Sequence, residues 1–200
     1  MTNSDGPKNL DSLEIVYGAL LFDCDGTLVD TAELHHFALA AAAKKLGHDI
    51  PRHWYQERVG LSLDHLLEEF NQQNGARLAR ADISPLEEDV FCGNASMIRE
   101  ISAVAAIVRN HAGKLPMAVV SSSTKRMVVA SLDAVQLTQY FSTLVTVDDV
   151  TNPKPAPDGF LEAARRLGVE PSRCLVFEDS QQGLEAARRA NMEAQDVRLL

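Results

Sequence analysis

The chain is poor in cysteine, in aromatic residues and in positive charge. Its three cysteines, Cys24, Cys92 and Cys174, are odd in number and have no Cys-x-x-Cys spacing. That excludes a disulfide framework and a thiolate metal site, and implies reduced thiols. Nineteen Lys and Arg stand against 28 Asp and Glu, for a net charge of -9 and a pI near 5.1. The clustered cations that displace counterions from a nucleic-acid backbone are therefore missing. No apolar run approaches the ~20 residues of a membrane span, and residues 1–10 are polar, with no apolar signal core. These absences predict a cytoplasmic protein with neither nucleic acid nor membrane as partner. There is no internal repeat or low-complexity tract, and a monomer is the default. What the chain does have is 46% hydrophobic residues in a length of 200, enough for one sizeable core with room for a small inserted unit.

The apolar segments alternate. A strand-like run at 17–22 is followed by a helical pattern through Leu34, Phe37, Ala38, Ala41 and Leu46, capped by Asp30 or Thr31 and stopped at Gly47. Segments 54–58, 63–71 and 85–94 are helical or turn-rich and lack β-branched runs, which predicts an all-helical insertion at 31–95. Beyond it come a helix through Ile98, Ile101, Val104, Ala105 and Val108, a strand at 116–120, and a helix with Val128, Leu132 and Val135 on one face. A strand at 143–147, a proline-rich loop at 152–157 and a helix with Phe160, Leu161, Ala164 and Leu167 inward follow. The strand at 174–177 leads to a helix capped by Ser180, and 194–199 reads as a closing strand. Short apolar strands alternating with helices imply an α/β fold, a parallel sheet covered by helices on both faces, with its ligand beyond the carboxyl ends of the strands.

Polar clusters fall at those ends. Asp23-Cys24-Asp25-Gly26-Thr27 puts two carboxylates at i and i+2, side by side on an extended segment, and Gly26 permits a sharp turn. Two close anions call for a cation or a proton. A hard cation such as Mg²⁺ takes oxygen ligands and often uses one or two carboxylates plus a substrate phosphate. A solvated Asp-Gly turn has the same composition, so the motif alone leaves both readings open. Ser121 ends the 116–120 strand, and the amides of Ser122 and Ser123 fall where helix N-terminal N–H groups collect an anion; an ordinary helix cap reads the same way. Lys154, between Pro153 and Pro155, sits on a stiffened loop, aimed at an anion or simply exposed. Glu178 and Asp179 close an apolar strand, where adjacent acids need a cation, an amide or water.

In order and spacing these four segments resemble the motifs of the haloacid dehalogenase superfamily, over residues 17–200. The stretches Asn152-Pro-Lys-Pro-Ala-Pro-Asp158 and Val176-Phe-Glu-Asp-Ser-Gln-Gln-Gly183 are similar to the branch holding the β-phosphoglucomutases and small sugar phosphatases. The C-terminal half, from Met117, looks most like the bacterial fructose-1-phosphate phosphatases. The resemblance implies a Rossmann-like core at 1–30 and 96–200 with a helical cap at 31–95. It makes Asp23 the nucleophile, forming an aspartyl-phosphate, and Asp25 the general acid and base. Mg²⁺ would be held by Asp23, the main-chain carbonyl of Asp25, Asp179 and, directly or through water, Glu178. Ser121, the Ser122 amide and Lys154 would hold the phosphoryl oxygens, and the cap would close over a sugar phosphate such as fructose 1-phosphate.

Asp25 sets the chain apart from the dehalogenases proper, which lack it. The absence of a lysine from Val59-Gly-Leu-Ser-Leu-Asp-His65 sets it apart from phosphonatases, which use a cap lysine as a Schiff base. β-Phosphoglucomutase is the enzymatic alternative: Asp30-Thr-Ala-Glu-Leu-His35 matches its first linker, and His35 falls on a cap histidine that assists its chemistry. But the mutase's cap arginine, which grips a second phosphate, falls on Leu63, and neither Arg58 nor Arg52 matches it. A non-catalytic sensor of sugar phosphates is the alternative of another class. The Pro-Gly element that often closes the cap is absent around residues 94–98. Cys24 reads as packing, and His53, His111, Arg165, Arg166, Arg188 and Arg189 as ordinary surface.

Overall fold

The computed structural model describes Leu10 and residues 12–58 and 61–200. The polar N-terminal stretch up to residue 9, and Val59 and Gly60 of the lysine-free segment, lie outside the described residues. In chain order come β1 (Ala19–Phe22), β2 (Val29–Asp30), α1 (Ala32–Lys45), α2 (Arg52–Gln56), α3 (Leu63–Asn74), α4 (Arg80–Gly93), β3 (Arg99–Glu100) and α5 (Ser102–His111). Then follow β4 (Met117–Val120), α6 (Lys125–Ala134), β5 (Thr143–Val145), α7 (Asp158–Leu167), β6 (Cys174–Glu178), α8 (Gln181–Arg189) and β7 (Glu193–Asp196). These divide into two compact units, an α/β unit of the chain up to Asp30 with Arg99–Leu200, and a helical unit, Thr31–Ile98. No helix among the described residues is long and apolar enough to cross a membrane.

In the α/β unit five strands pair in the order β5-β4-β1-β6-β7, every pair parallel. β1, β4 and β6 are apolar at nearly every position and wholly buried, as strands covered on both faces must be. Alternation splits them between two cores. Ala19, Leu21, Ala118, Val120, Cys174 and Val176 join one core with Phe160, Ala163 and Ala164 of α7 and Ala186 and Ala187 of α8. Phe22 and Phe177 point the other way and stack with ring centroids 4.7 Å apart, while Phe141 meets Phe22 edge-on at 5.8 Å. Gly159 lets α7 come close to the sheet, since a Cβ there would lie 2.9 Å from Val120 Cγ1. From β1 the chain steps outward to β4 and β5, then crosses back to β6 and β7. The order thus reverses beside β1, which is where a crevice opens at the carboxyl ends.

Several boundaries differ from the sequence reading. Residues 98–101 do not belong to the following helix. Arg99 and Glu100 pair antiparallel with Asp30 and Val29, and the Ile101 N–H donates to the Leu28 carbonyl at 2.9 Å, so α5 begins only at Ser102. This two-stranded clasp was not legible because two residues carry no periodicity. Leu161 is 39% exposed, because the apolar stripe of α7 turns on Phe160, Ala163 and Ala164. The closing strand stops at Asp196, where the Asp196 carboxylate accepts the Arg198 N–H and turns the chain into a 3-10 helix. His111 is buried, with Nδ1 2.9 Å from the Ile107 carbonyl, and is not surface.

The helical unit has its own core of Leu39, Ala42, Ala43, Ile50, Leu66, Leu67, Phe70, Leu78 and Ile83. On α1 the buried stripe is Leu34, Ala38, Leu39, Ala42 and Ala43, while Phe37 and Leu46, expected inward, are exposed. Thr31 stands at the α1 N-cap without a side-chain cap hydrogen bond. α4 starts at Arg80, before the expected start at residue 85, and carries Pro85 inside it. Residues 95–97 form one 3-10 turn before β3.

Since Phe177 is fully buried and stacked on Phe22, Phe177→Ala is expected to destabilise the fold by about 3–5 kcal/mol. Urea denaturation checks it, with a lower midpoint at an unchanged m value.

Candidate active site

The loop after β1 is built by its own backbone. The Asp23 N–H donates to the Phe177 carbonyl at 3.0 Å, which carries the β1–β6 ladder one residue past β1 and fixes Asp23 beside the end of β6. The Cys24 carbonyl then accepts from the amides of Thr27, Leu28 and Val29, and the Gly26 N–H donates to the Val29 carbonyl at 2.8 Å. Gly26 is required twice over. Its φ is +85°, and a Cβ there would stand 2.4 Å from Asp179 Oδ2. Cys24 is buried within this turn. Burial first, then the charges of Asp25 and Asp23, push its thiol pKa far up, so it is inert packing.

Lys154 reaches into the same place from the loop between β5 and α7. Its Nζ donates to Asp23 Oδ1 at 2.6 Å, to Glu178 Oε2 at 2.7 Å and to the Val120 carbonyl at 3.0 Å. Three donors meet three acceptors, which completes the ammonium's capacity. The lysine is buried, not the exposed surface group that was one reading of it. Burial opposes its charge, but Asp23 and Glu178 outweigh that and hold its pKa above the usual value. Glu178 Oε1 accepts the Asp179 and Ser180 amides at 3.1 and 3.0 Å and the Ser180 hydroxyl at 2.9 Å. Burial would raise its pKa, yet Lys154 and the Ser180 donors bring it below the usual range. Ser180 also caps α8 by accepting the Gly183 N–H at 3.0 Å. Only glycine fits at 183, since a Cβ would fall 1.8 Å from Glu178 Oε2.

The serine run departs from expectation. Helix α6 begins at Lys125, capped by Thr124, so Ser122 and Ser123 lie in the preceding loop and not at the helix N-terminus. The Ser123 amide is committed to Ser121 Oγ at 3.0 Å. The hydroxyls of Ser121 and Ser123 donate to Asp25 Oδ2 at 3.3 and 2.8 Å. Ser121, Ser122 and Lys154 line one cavity with Thr146, Asn152 and Phe160.

The α/β unit thus brings Asp23, Asp25, Ser121, Ser122, Lys154, Glu178 and Asp179 to one end of the sheet. His35 belongs to the helical unit, where its ring lies 4.7 Å from that of Phe91 and its Nδ1 3.9 Å from Glu87 Oε1. The sequence reading foresaw Ser180 as the cap of α8 but not its hydroxyl's bond to Glu178, and gave no role to the hydroxyl of Ser123 or to that of Thr27, which donates to Asp179 Oδ1 at 3.3 Å. Serine-rich and Asp-Gly-Thr loops signal such donors only once the strand ends are known to converge.

The donor set fits a hard divalent cation. Oxygens of Asp23, Glu178 and Asp179 lie within 4.8 Å of one another, and the Lys154 ammonium bridges Asp23 and Glu178. The excess of negative charge registers on the acids themselves. Burial, then Glu178, raises the Asp23 pKa well above the usual range despite Lys154, and burial with Glu178 pushes Asp179 up to about 6. Between its ordinary 3.8 and about 6, folded Asp179 binds more protons than unfolded Asp179, so its contribution to stability falls as pH rises through that window. Metal-free protein is therefore expected to lose thermal stability relative to Asp179→Asn on going from pH 4 to pH 7. Affinity for a divalent cation is expected to weaken below about pH 6, where protons compete for the same oxygens. Thermal melts and calorimetric titration across that range check both.

The sequence profile of haloacid dehalogenase-like hydrolases matches residues 20–197. The chain is 34% identical to a fructose-1-phosphate phosphatase of Escherichia coli over 92% of this chain and 98% of that protein. It is 28% identical to a phosphorylated carbohydrates phosphatase of Thermotoga maritima, over 88% and 82% respectively. The crystal structure of CbbY from Rhodobacter sphaeroides in complex with phosphate superimposes with a TM-score of 0.82 at 28% identity, covering 89% of this chain and 84% of that one. The chain belongs to the haloacid dehalogenase-like hydrolase family, among relatives named as phosphatases.

Proposed function

We propose that the chain is a cytoplasmic Mg²⁺-dependent phosphatase of small sugar phosphates, fructose 1-phosphate among them, that works through an aspartyl-phosphate at Asp23. The observation that carries this is the buried Lys154 ammonium held between Asp23 and Glu178, with the hydroxyl-bonded carboxylate of Asp25 two residues along the chain from Asp23. A nucleophile, a proton carrier and a fixed cation stand together at the strand ends. The names of the Escherichia coli and Thermotoga maritima relatives support the substrate class. The acidic composition and the free thiols support the compartment.

In this reading an Asp23 carboxylate oxygen attacks phosphorus, and the bond to the sugar oxygen breaks as Asp25 gives that oxygen its proton. Asp25, now a carboxylate, takes a proton from the water that attacks the aspartyl-phosphate, and inorganic phosphate leaves with Asp23 restored. The Ser121 hydroxyl and the Ser122 amide hold the phosphoryl oxygens as charge spreads over them, and Lys154, whose three donors are taken by protein acceptors, acts on them through its charge. Asp23, Asp179 and the main-chain carbonyl of Asp25 would hold Mg²⁺, which when bound would supply the charge that lets an anionic carboxylate approach an anionic phosphate. Glu178, both of whose oxygens accept protein donors, positions Lys154 and would reach the ion directly or through water.

Hydrolysis is favoured over the mutase alternative by the state of Arg58 and Arg52, the two arginines weighed as stand-ins for the mutase's phosphate clamp. Arg58 is spent on Glu69 at 2.8 Å, on the Trp54 carbonyl at 2.9 Å and on the Trp54 ring, and Arg52 pairs with Glu33. A mutase needs such a group for its second phosphate.

A panel of sugar phosphates assayed for released phosphate tests the proposal. Asp23→Asn is expected to lower kcat/KM by roughly 10⁴-fold or more, and chelation to abolish turnover until Mg²⁺ is returned. Undiminished turnover by Asp23→Asn contradicts the mechanism. Glucose 6-phosphate formed from β-glucose 1-phosphate and the bisphosphate would instead identify a mutase.

A further inference from the structure

Asp25 is not simply adjacent to the serine loop. One of its oxygens, Oδ2, takes both the Ser123 hydroxyl at 2.8 Å and the Ser121 hydroxyl at 3.3 Å. Ser121 Oγ in turn accepts the Ser123 amide at 3.0 Å, which closes a small ring of hydrogen bonds through residues 121–123 and Asp25. The loop itself is anchored, because Ser121 donates its amide to the Val145 carbonyl at 3.0 Å and Thr124 caps α6 immediately after. Ser123 therefore hangs a hydroxyl from a rigid frame onto the carboxylate that lies two residues beyond Asp23.

We propose that Ser123 is a positioning residue for proton transfer, holding the Asp25 carboxyl in the orientation from which it protonates the departing sugar oxygen. The inference rests on the assignment of Asp25 as proton carrier. A hydroxyl suits the task better than an amide N–H, because it donates to Asp25 as a carboxylate and accepts from Asp25 as an acid. It follows the proton through both halves of the reaction. In the first half, the Asp25 proton goes to the ester oxygen as the P–O bond breaks. In the second, a water proton returns to Asp25 as the water oxygen bonds to phosphorus. Ser121 bears on the same oxygen, at a longer distance, and is also placed to hold phosphate. Ser123 makes the shorter bond. A carboxyl swinging freely about its side-chain torsions loses the near-attack geometry that such a bond enforces.

The readout that separates positioning from structure is leaving-group dependence. A sugar leaves as a strongly basic alkoxide and needs a proton as its bond breaks, whereas p-nitrophenolate leaves without one. kcat/KM reports on that first half alone. Ser123→Ala is expected to lower kcat/KM about 10- to 100-fold on the best-turned-over member of the sugar-phosphate panel. The loss should be at least about tenfold greater there than on p-nitrophenyl phosphate, and Ser123→Thr, which keeps the hydroxyl, should restore most of it. In an Asp25→Asn background Ser123→Ala should add no further loss on the sugar phosphate. Equal losses on both substrates, no loss on either, or a full additional loss in the Asp25→Asn background would each overturn the inference. Should Ser123→Ala not fold, Ser123→Gly read on the same two substrates decides it by the same ratio. None of these outcomes bears on Asp23, whose replacement tests the underlying mechanism separately.

Discussion

The Lys154 ammonium is the contact on which the site depends. It is buried, and it satisfies its three N–H donors on Asp23, Glu178 and the last carbonyl of β4. It thus ties together groups from β1, β4 and β6, whose ladders alone would set the strands but not the side chains. Buried ion pairs contribute little against an apolar replacement, but removing one partner leaves an uncompensated charge and costs about 3–5 kcal/mol. Here the loss would strand two carboxylates that already crowd Asp179 and Asp25. The same arrangement that makes Lys154 hard to remove leaves the site with more negative charge than this ammonium balances, which suits it to a further cation.

The scaffold serves this geometry with small residues at close contacts. Gly26 lets the β1 loop lie against the Asp179 carboxylate, Gly183 lets the first turn of α8 lie against Glu178, and Gly159 lets α7 pack onto Val120. Gly26 and Gly183 each lie against a carboxylate of the site, so at these two positions the closest backbone approach and the site's acids coincide. The insertion between β2 and β3 leaves this frame undisturbed. Its ends enter and leave through paired strands, so the helical unit can carry a core of its own without interrupting the sheet.

Much of this was legible in the sequence, for reasons that differ by element. The strands β1, β4 and β6 announce themselves as unbroken apolar runs because they are buried on both faces, and their polar successors at Asp23, Ser121 and Glu178 follow from where such runs must end. Parallel order makes those ends converge, which is why residues far apart in the chain were read as one crevice. What the sequence withheld was hydrogen-bond direction. Whether the serine run caps a helix or sends the hydroxyls of Ser121 and Ser123 across to Asp25 depends on where α6 starts, a matter of one turn that composition does not encode. The β2–β3 clasp was too short to carry a period, and the buried stripe of α1 is displaced from Phe37 because alanines pack as readily as larger residues when helices lie close. His111 read as surface because a lone histidine at a helix end gives no sign of the carbonyl it will find.

The central claim is that Asp23 carries the phosphoryl group between substrate and water. Rapid mixing with a turned-over sugar phosphate, acid quenching within one turnover, borohydride reduction and peptide mass mapping test it most directly. The account predicts a phosphoryl adduct on the peptide containing Asp23, converted by reduction to homoserine at that position alone. Phosphate released within the first turnover with no adduct at Asp23, or an adduct on another residue, would contradict it.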